Sequence, residues 1–187
     1  MSERHAPAES ARLFVAALLP DDVRSELARW ARAGAGGARR LERESLHLTL
    51  CFLGEQPLSC VEELAAVLGG LAESVAGVGE LAIGAPAWLP ARRPRALAVE
   101  IGDPDGSLRA LQAALARGVA ATIAWEPGPQ RFRPHVTVAR MRPGSTRPAK
   151  LAPTPALRFS CEKVALLRSY LEPAGARYEE LASVGGW

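Results

Sequence analysis

Residues 46–55 read LHLTLCFLGE, and residues 132–140 read FRPHVTVAR. Both contain the frame His-apolar-Thr-apolar, at His47–Leu50 and again at His135–Val138. The chain has three histidines, so two of the three stand in one four-residue pattern. Side chains alternate across a strand. His47, Thr49 and Cys51 therefore share one face of the first segment, and Leu46, Leu48, Leu50 and Phe52 share the other. In the second segment His135 and Thr137 share a face, while Val136 and Val138 point inward. Each strand offers one imidazole and one hydroxyl together, backed by an apolar anchor.

The flanking sequence repeats as well. Residues 11–18, ARLFVAAL, read as a buried strand, and Pro20-Asp21-Asp22 supplies a helix start. Val23, Leu27 and Trp30 follow at helical spacing until the Gly-rich segment 33–40 ends the helix. Residues 94–102 read as a second strand, with DPDG at 103–106, a helix over 107–123 and the basic loop WEPGPQRFRP at 125–134. The order in both copies is strand, acidic cap, helix, basic loop, His-x-Thr strand. The two histidines lie 88 residues apart, which points to an internal duplication.

The rest of the chain fits around these copies. Residues 57–77 predict one helix, and 80–89 a strand. Residues 156–171 and 177–184 predict two antiparallel strands joined by a turn over 172–176. Residues 142–155 read as a Pro-rich surface loop. The sum is α+β: two pseudo-symmetric lobes, each a mostly antiparallel sheet with helices outside, and a cleft between them. Residues 1–10 read as a loose tail that includes His5, and 11–187 as a single bilobal domain.

Composition narrows the classes. The net charge of +3 is too small by itself to imply a nucleic-acid partner. The kind of charge says more: Lys150 and Lys163 are the lysines, and the other 21 of 23 basic residues are arginines, whose planar fork suits phosphate. Cys51, Cys60 and Cys161 are odd in number and lack CxxC spacing, which argues against a disulfide framework or a zinc ribbon and fits a reducing cytoplasm. The first ten residues lack a signal-peptide core, and LFVAALLP is too short to span a bilayer.

Two imidazoles and two hydroxyls in one cleft suit phosphate-ester chemistry. One neutral imidazole takes a proton from an attacking water, and one imidazolium returns a proton to a leaving oxygen. Thr49 and Thr137 can donate to the non-bridging oxygens. This scheme needs no metal, cofactor or covalent nucleophile. A zinc site would need a third ligand, and His5 is poorly placed for it.

The four motifs RLFVAALLP (12–20), LHLTLCFLGE (46–55), FRPHVTVAR (132–140) and LLRSYLEPAGARYEEL (166–181) resemble the two-histidine phosphoesterases. Within them the sequence is similar to the LigT-like RNA 2′,3′-cyclic phosphodiesterases, once called 2′-5′ RNA ligases. The resemblance covers nearly the whole chain. It implies hydrolysis of a terminal RNA 2′,3′-cyclic phosphate to a 2′-phosphate, with weak reversible 2′-5′ ligation. It implies His47 as proton donor and His135 as proton acceptor, with Thr49 and Thr137 holding the phosphate. Arg140 matches a phosphate-side arginine, although five residues after His135 a regular strand turns it away unless a bulge intervenes. Cys51 stands where relatives often carry a basic residue. Arg131 and Arg133 are candidate RNA contacts, and Trp88 and Trp125 candidate stacking rings. The implied partners are RNA ends with a 2′,3′-cyclic phosphate, tRNA fragments among them, met by a cytoplasmic monomer without membrane contact. The alternatives are a small-molecule cyclic nucleotide phosphodiesterase with the same four residues, and a non-catalytic nucleotide- or RNA-binding module.

Overall fold

The computed structural model describes residues 9–142, 144, 150–172 and 175–186. The expected tail, His5 included, falls outside them except for Glu9 and Ser10, and Ser10 already pairs with Pro57 as the first residue of a strand. Part of the Pro-rich loop also falls outside.

In chain order the elements are β1 (Ser10–Leu18), α1 (Asp21–Gly34), β2 (Arg39–Arg40), β3 (His47–Pro57), α2 (Val61–Gly69), α3 (Ala72–Ala76), β4 (Leu81–Leu89), β5 (Ala96–Gly102), α4 (Ser107–Thr122), β6 (His135–Arg140), β7 (Arg158–Phe159), β8 (Lys163–Glu172) and β9 (Gly175–Gly185). The strands form one antiparallel sheet in the order β7-β4-β5-β6-β3-β1-β8-β9, with β2 also on β6. The order is symmetric about its middle: β3 and β6 meet there, each followed outward by the first strand of its own copy, β1 or β5. The two expected lobes are thus the two halves of one sheet. They join through the pair Leu48↔Val136, both fully buried.

The helices α1 to α4 pack on one face. Val23, Leu27 and Trp30 of α1, Leu64 and Leu68 of α2, Val75 of α3, and Leu108, Leu111, Leu115 and Val119 of α4 join one core with alternate residues of the strands. In β1 those residues are Ala11, Leu13, Val15, Ala17 and the following Leu19. The alternate set, Phe14 and Ala16, packs on the other face with Ala165, Leu167, Leu18 and Tyr178. That second face is where the histidines lie.

Two expectations change. The helix over 57–77 is broken into α2 and α3 at Gly70-Leu71, where adjacent glycines interrupt the apolar run. The strand over 156–171 is two strands in opposite halves: β7 pairs with β4, and β8 with β1. The intervening Ser160-Cys161-Glu162 carries the chain across.

Candidate active site

His47 and His135 open β3 and β6. Extending the antiparallel Leu48↔Val136 register one step each way sets His47 across from Thr137 and Thr49 across from His135. All four point away from the helices, because Leu48 and Val136 between them point in. Each imidazole is fixed the same way. His47 Nδ1 lies 2.8 Å from the carbonyl of Ser45, and His135 Nδ1 lies 2.7 Å from the carbonyl of Arg133. A carbonyl only accepts, so Nδ1 is the protonated nitrogen and Nε2 is left for the cleft.

The strands then do something that simple alternation does not foresee. In β3, Val15 faces Cys51 and Ala16 faces Thr49, so Leu50 is an extra residue in the ladder. In β6, Leu97 faces Ala139 and Ala98 faces Thr137, so Val138 is extra. Both bulges fall directly after His-x-Thr, and each reverses the parity beyond it. Leu50 and Cys51 are consequently both buried, as are Val138 and Ala139. Phe52 and Arg140 come round to the histidine face. Each follows its histidine by five residues. A second bulge at Leu53 precedes Gly54, whose φ of 75° suits glycine.

This overturns the placement of Cys51. Its side chain is 3% exposed, in the core beside Gln112 of α4, and burial pushes its thiol up to about 11. It is neither on the histidine face nor a reactive thiol. Arg140, by contrast, lines the cleft through the bulge that the parity argument required.

The cleft around His47 holds about 370 Å³ and is lined by Thr49, Phe52, Arg12, Arg39 and Arg140, with Phe14, Tyr178 and Leu171 among its apolar walls. Arg39 on β2 pairs directly with Arg140 on β6, so two guanidinium-bearing residues stand side by side across the ladder. The Arg39 guanidinium runs over Gly175, where a Cβ would lie 3.1 Å from its Nη1. Both arginines line the cleft, and guanidinium groups suit an anion there.

The two imidazoles differ in surroundings. The His47 ring lies 4.9 Å from Phe14 and 5.1 Å edge-on from Tyr178, centroid to centroid. Burial in this aromatic box pushes His47 down to about 4, against the Ser45 carbonyl and with help from the charges of Arg140 and His135. Burial also raises the Tyr178 hydroxyl, which stays a phenol. His135 instead pairs across β5 with Glu100, and Leu18 occupies the matching place beside His47.

The remaining candidates lie apart from this cleft. Arg133 is exposed and ion-paired with Glu100, and Arg131 is exposed in the loop before β6. Trp88 packs against the core. The Trp125 indole donates to the Phe52 carbonyl at 2.9 Å. Sequence reasoning missed Arg12, Arg39, Phe52 and Tyr178. Arg12 left a trace, a charge two residues before Phe14 at the start of an apolar strand. Phe52 left another, the same offset from its histidine as Arg140. Arg39 and Tyr178 left none, because only strand pairing brings them in.

Known proteins share the sequence pattern and the fold of this chain. The model of the 2′-5′ RNA ligase superfamily matches residues 19–172. An RNA 2′,3′-cyclic phosphodiesterase of Thermus thermophilus is 33% identical over 178 residues, 91% of this chain and 87% of that protein. The crystal structure of the Thermus thermophilus protein TT0787 superposes with a TM-score of 0.79 at 30% identity, covering 93% of this chain and 97% of that one. E. coli LigT complexed with 3′-AMP shares the fold, with a TM-score of 0.73 at 23% identity over 95% of this chain and 98% of that one. The chain belongs to the 2′-5′ RNA ligase superfamily of two-histidine phosphoesterases.

Proposed function

We propose that this protein hydrolyses the 2′,3′-cyclic phosphate at an RNA 3′ end to a 2′-phosphate. The observation that carries the reading is the buried Leu48↔Val136 junction, which brings the two His-x-Thr frames side by side on one sheet face, with both Nδ1 atoms tied to carbonyls. The name of the Thermus relative, RNA 2′,3′-cyclic phosphodiesterase, supports the substrate class.

His135 Nε2 accepts a proton from water as its oxygen attacks phosphorus. The P–O3′ bond breaks, and His47 Nε2–H protonates O3′. Thr49, Thr137 and Arg140 donate to the non-bridging oxygens as their charge grows. The two imidazoles then return to their starting states by exchange with solvent. Before substrate binds, His47 is neutral near pH 7. A phosphate anion against its ring favours the imidazolium, so the substrate itself charges the acid. A 5′-hydroxyl in place of water runs the same site toward a 2′-5′ linkage. RNA fragments, those of tRNA included, met by a cytoplasmic monomer complete the reading.

The test is incubation of the purified protein, with EDTA present, with an oligonucleotide ending in 2′,3′-cyclic phosphate. We expect a product with its phosphate on O2′, and loss of about 10²–10⁴ in kcat for His47→Ala and for His135→Ala. A phosphate left on O3′, or turnover unchanged in both variants, removes the reading.

A further inference from the structure

We infer that Glu100 sets the choice of nucleophile at this site: beside His135 it admits water and turns away the 5′-hydroxyl of an RNA strand, whose first phosphate follows close behind. The inference rests on the function just proposed and adds which outcome, hydrolysis or joining, the site favours.

The two sides of the reacting phosphorus are unlike. In-line displacement puts the leaving O3′ on the His47 side and the nucleophile opposite, on the His135 side. With either nucleophile the new O–P bond forms, the P–O3′ bond breaks, His135 takes the nucleophile's proton and His47 gives one to O3′. The cleft that takes the nucleotide is walled by β1, β2, β3, β8 and β9, with Arg140 from the end of β6. Arg12, Arg39 and Arg140 stand in it, and the Glu172 carboxylate in its wall is paired with Arg177. That half suits an anion. The other half continues from β6 to β5, and there Glu100 is directly opposite His135 in the ladder. Side chains opposite one another share a face, with Cβ atoms about 5 Å apart. The corresponding place beside His47 holds Leu18, so the two halves differ here by a full charge.

Glu100 acts in two ways. Its charge opposes a phosphodiester arriving with a 5′-hydroxyl, whereas a water molecule meets no such barrier. It also accepts from the Arg133 guanidinium. An incoming strand has to displace Glu100 before it can use that arginine. The Glu100 side chain keeps 36% of its surface exposed, so an arriving strand meets it. On its other flank β4 leaves room with Gly84, where a Cβ would lie 3.4 Å from that of Glu100.

The experiment lets two acceptors compete with water for one donor, a dinucleotide ending in 2′,3′-cyclic phosphate. One acceptor is cytidine, which has a 5′-hydroxyl and no charge. The other is a cytidine dinucleotide with a 3′-5′ linkage, which has the same hydroxyl and one phosphodiester. The ratio of 2′-5′ adduct to 2′-phosphate is read within each reaction, so it does not depend on how much of a variant is folded. We expect Glu100→Gln to raise this ratio by about 3–30-fold for the charged acceptor, and to leave it within about twofold for cytidine. Glu100→Asp, which keeps the charge, should match the parent. Arg133→Gln, which leaves the carboxylate uncompensated, should fall below it. In about 1 M KCl, where the screening length is about 3 Å, the gain in Glu100→Gln should shrink to within about twofold. Equal gains for both acceptors mean a loosened site rather than a charge filter and overturn the inference alone, as does hydrolysis with no gain for either. A parent that yields no 2′-phosphate overturns the underlying function, and the inference with it.

Discussion

At the scale of single residues the two histidines are alike in tautomer and unlike in environment. Each gives Nδ1–H to a carbonyl two residues back. His47 alone sits in the aromatic box of Phe14 and Tyr178, which holds it down to about 4 against 6.5 for a free imidazole. The sign of the linkage follows. Above pH 6.5 His47 is neutral in both folded and unfolded chains and contributes no pH dependence. As pH falls from 6.5 to 4 the unfolded chain takes up a proton that the folded chain refuses, so stability drops with pH. Below about 4 both are protonated and the loss levels off. The full effect is roughly 3 kcal/mol. Urea unfolding of the parent and of His47→Gln at a series of pH values isolates it: the gap between them should shift by that amount across the window, toward lower relative stability of the parent at acid pH. Inorganic phosphate should reduce the shift by charging His47 in the folded state. Parallel curves would mean that the ring is not held neutral.

At the scale of elements the informative feature is the bulge after each His-x-Thr. The period of two puts the histidines, the threonines and their apolar anchors on the right faces, because β3 and β6 are regular from His to Thr. It fails one residue later. Strand parity sets Cys51 beside His47, and Cys51 is buried; it sets Phe52 in the core, and Phe52 lines the cleft; Arg140 reaches the cleft only through a bulge. An extra residue in a ladder leaves no mark in a hydrophobic pattern, since Leu50-Cys51 and Val138-Ala139 read as ordinary apolar pairs. The duplication holds the clue, in the equal offset of Phe52 and Arg140. The bulge makes a positional prediction. Arg140→Ala should cost about 10–100-fold in kcat/KM, the worth of one charge-assisted hydrogen bond to phosphate. Ala139→Arg added to that variant should not restore it and should lower the thermal midpoint, because position 139 is buried. Rescue by the displaced arginine would show that β6 runs without the bulge.

At the scale of the whole molecule, the strand–helix–strand order of each copy was legible, and so was the meeting of the two copies. Their union into one sheet was not. It depends on the single pair Leu48↔Val136, on β2 taking up the rest of β6, and on β7 and β8 parting to opposite halves, all of which are long-range pairings without a local signature. The junction has a consequence for catalysis. The two imidazoles come from different halves, and Leu48, between His47 and Thr49, packs at the seam that sets their separation. Leu64 on α2 is as fully buried, on the helix side and away from the seam. Leu48→Ala and Leu64→Ala should each cost about 2–5 kcal/mol in stability, since both leave a cavity in a packed core. Their effects on turnover should differ. Well below its melting temperature, Leu64→Ala should keep a kcat near that of the parent. Leu48→Ala should lose kcat by about 10²-fold, because an ångström of misplacement between acid and base is enough to cost that much. Equal kcat in the two variants would mean that the halves hold their relation without the seam, and that acid–base spacing is set elsewhere in the sheet.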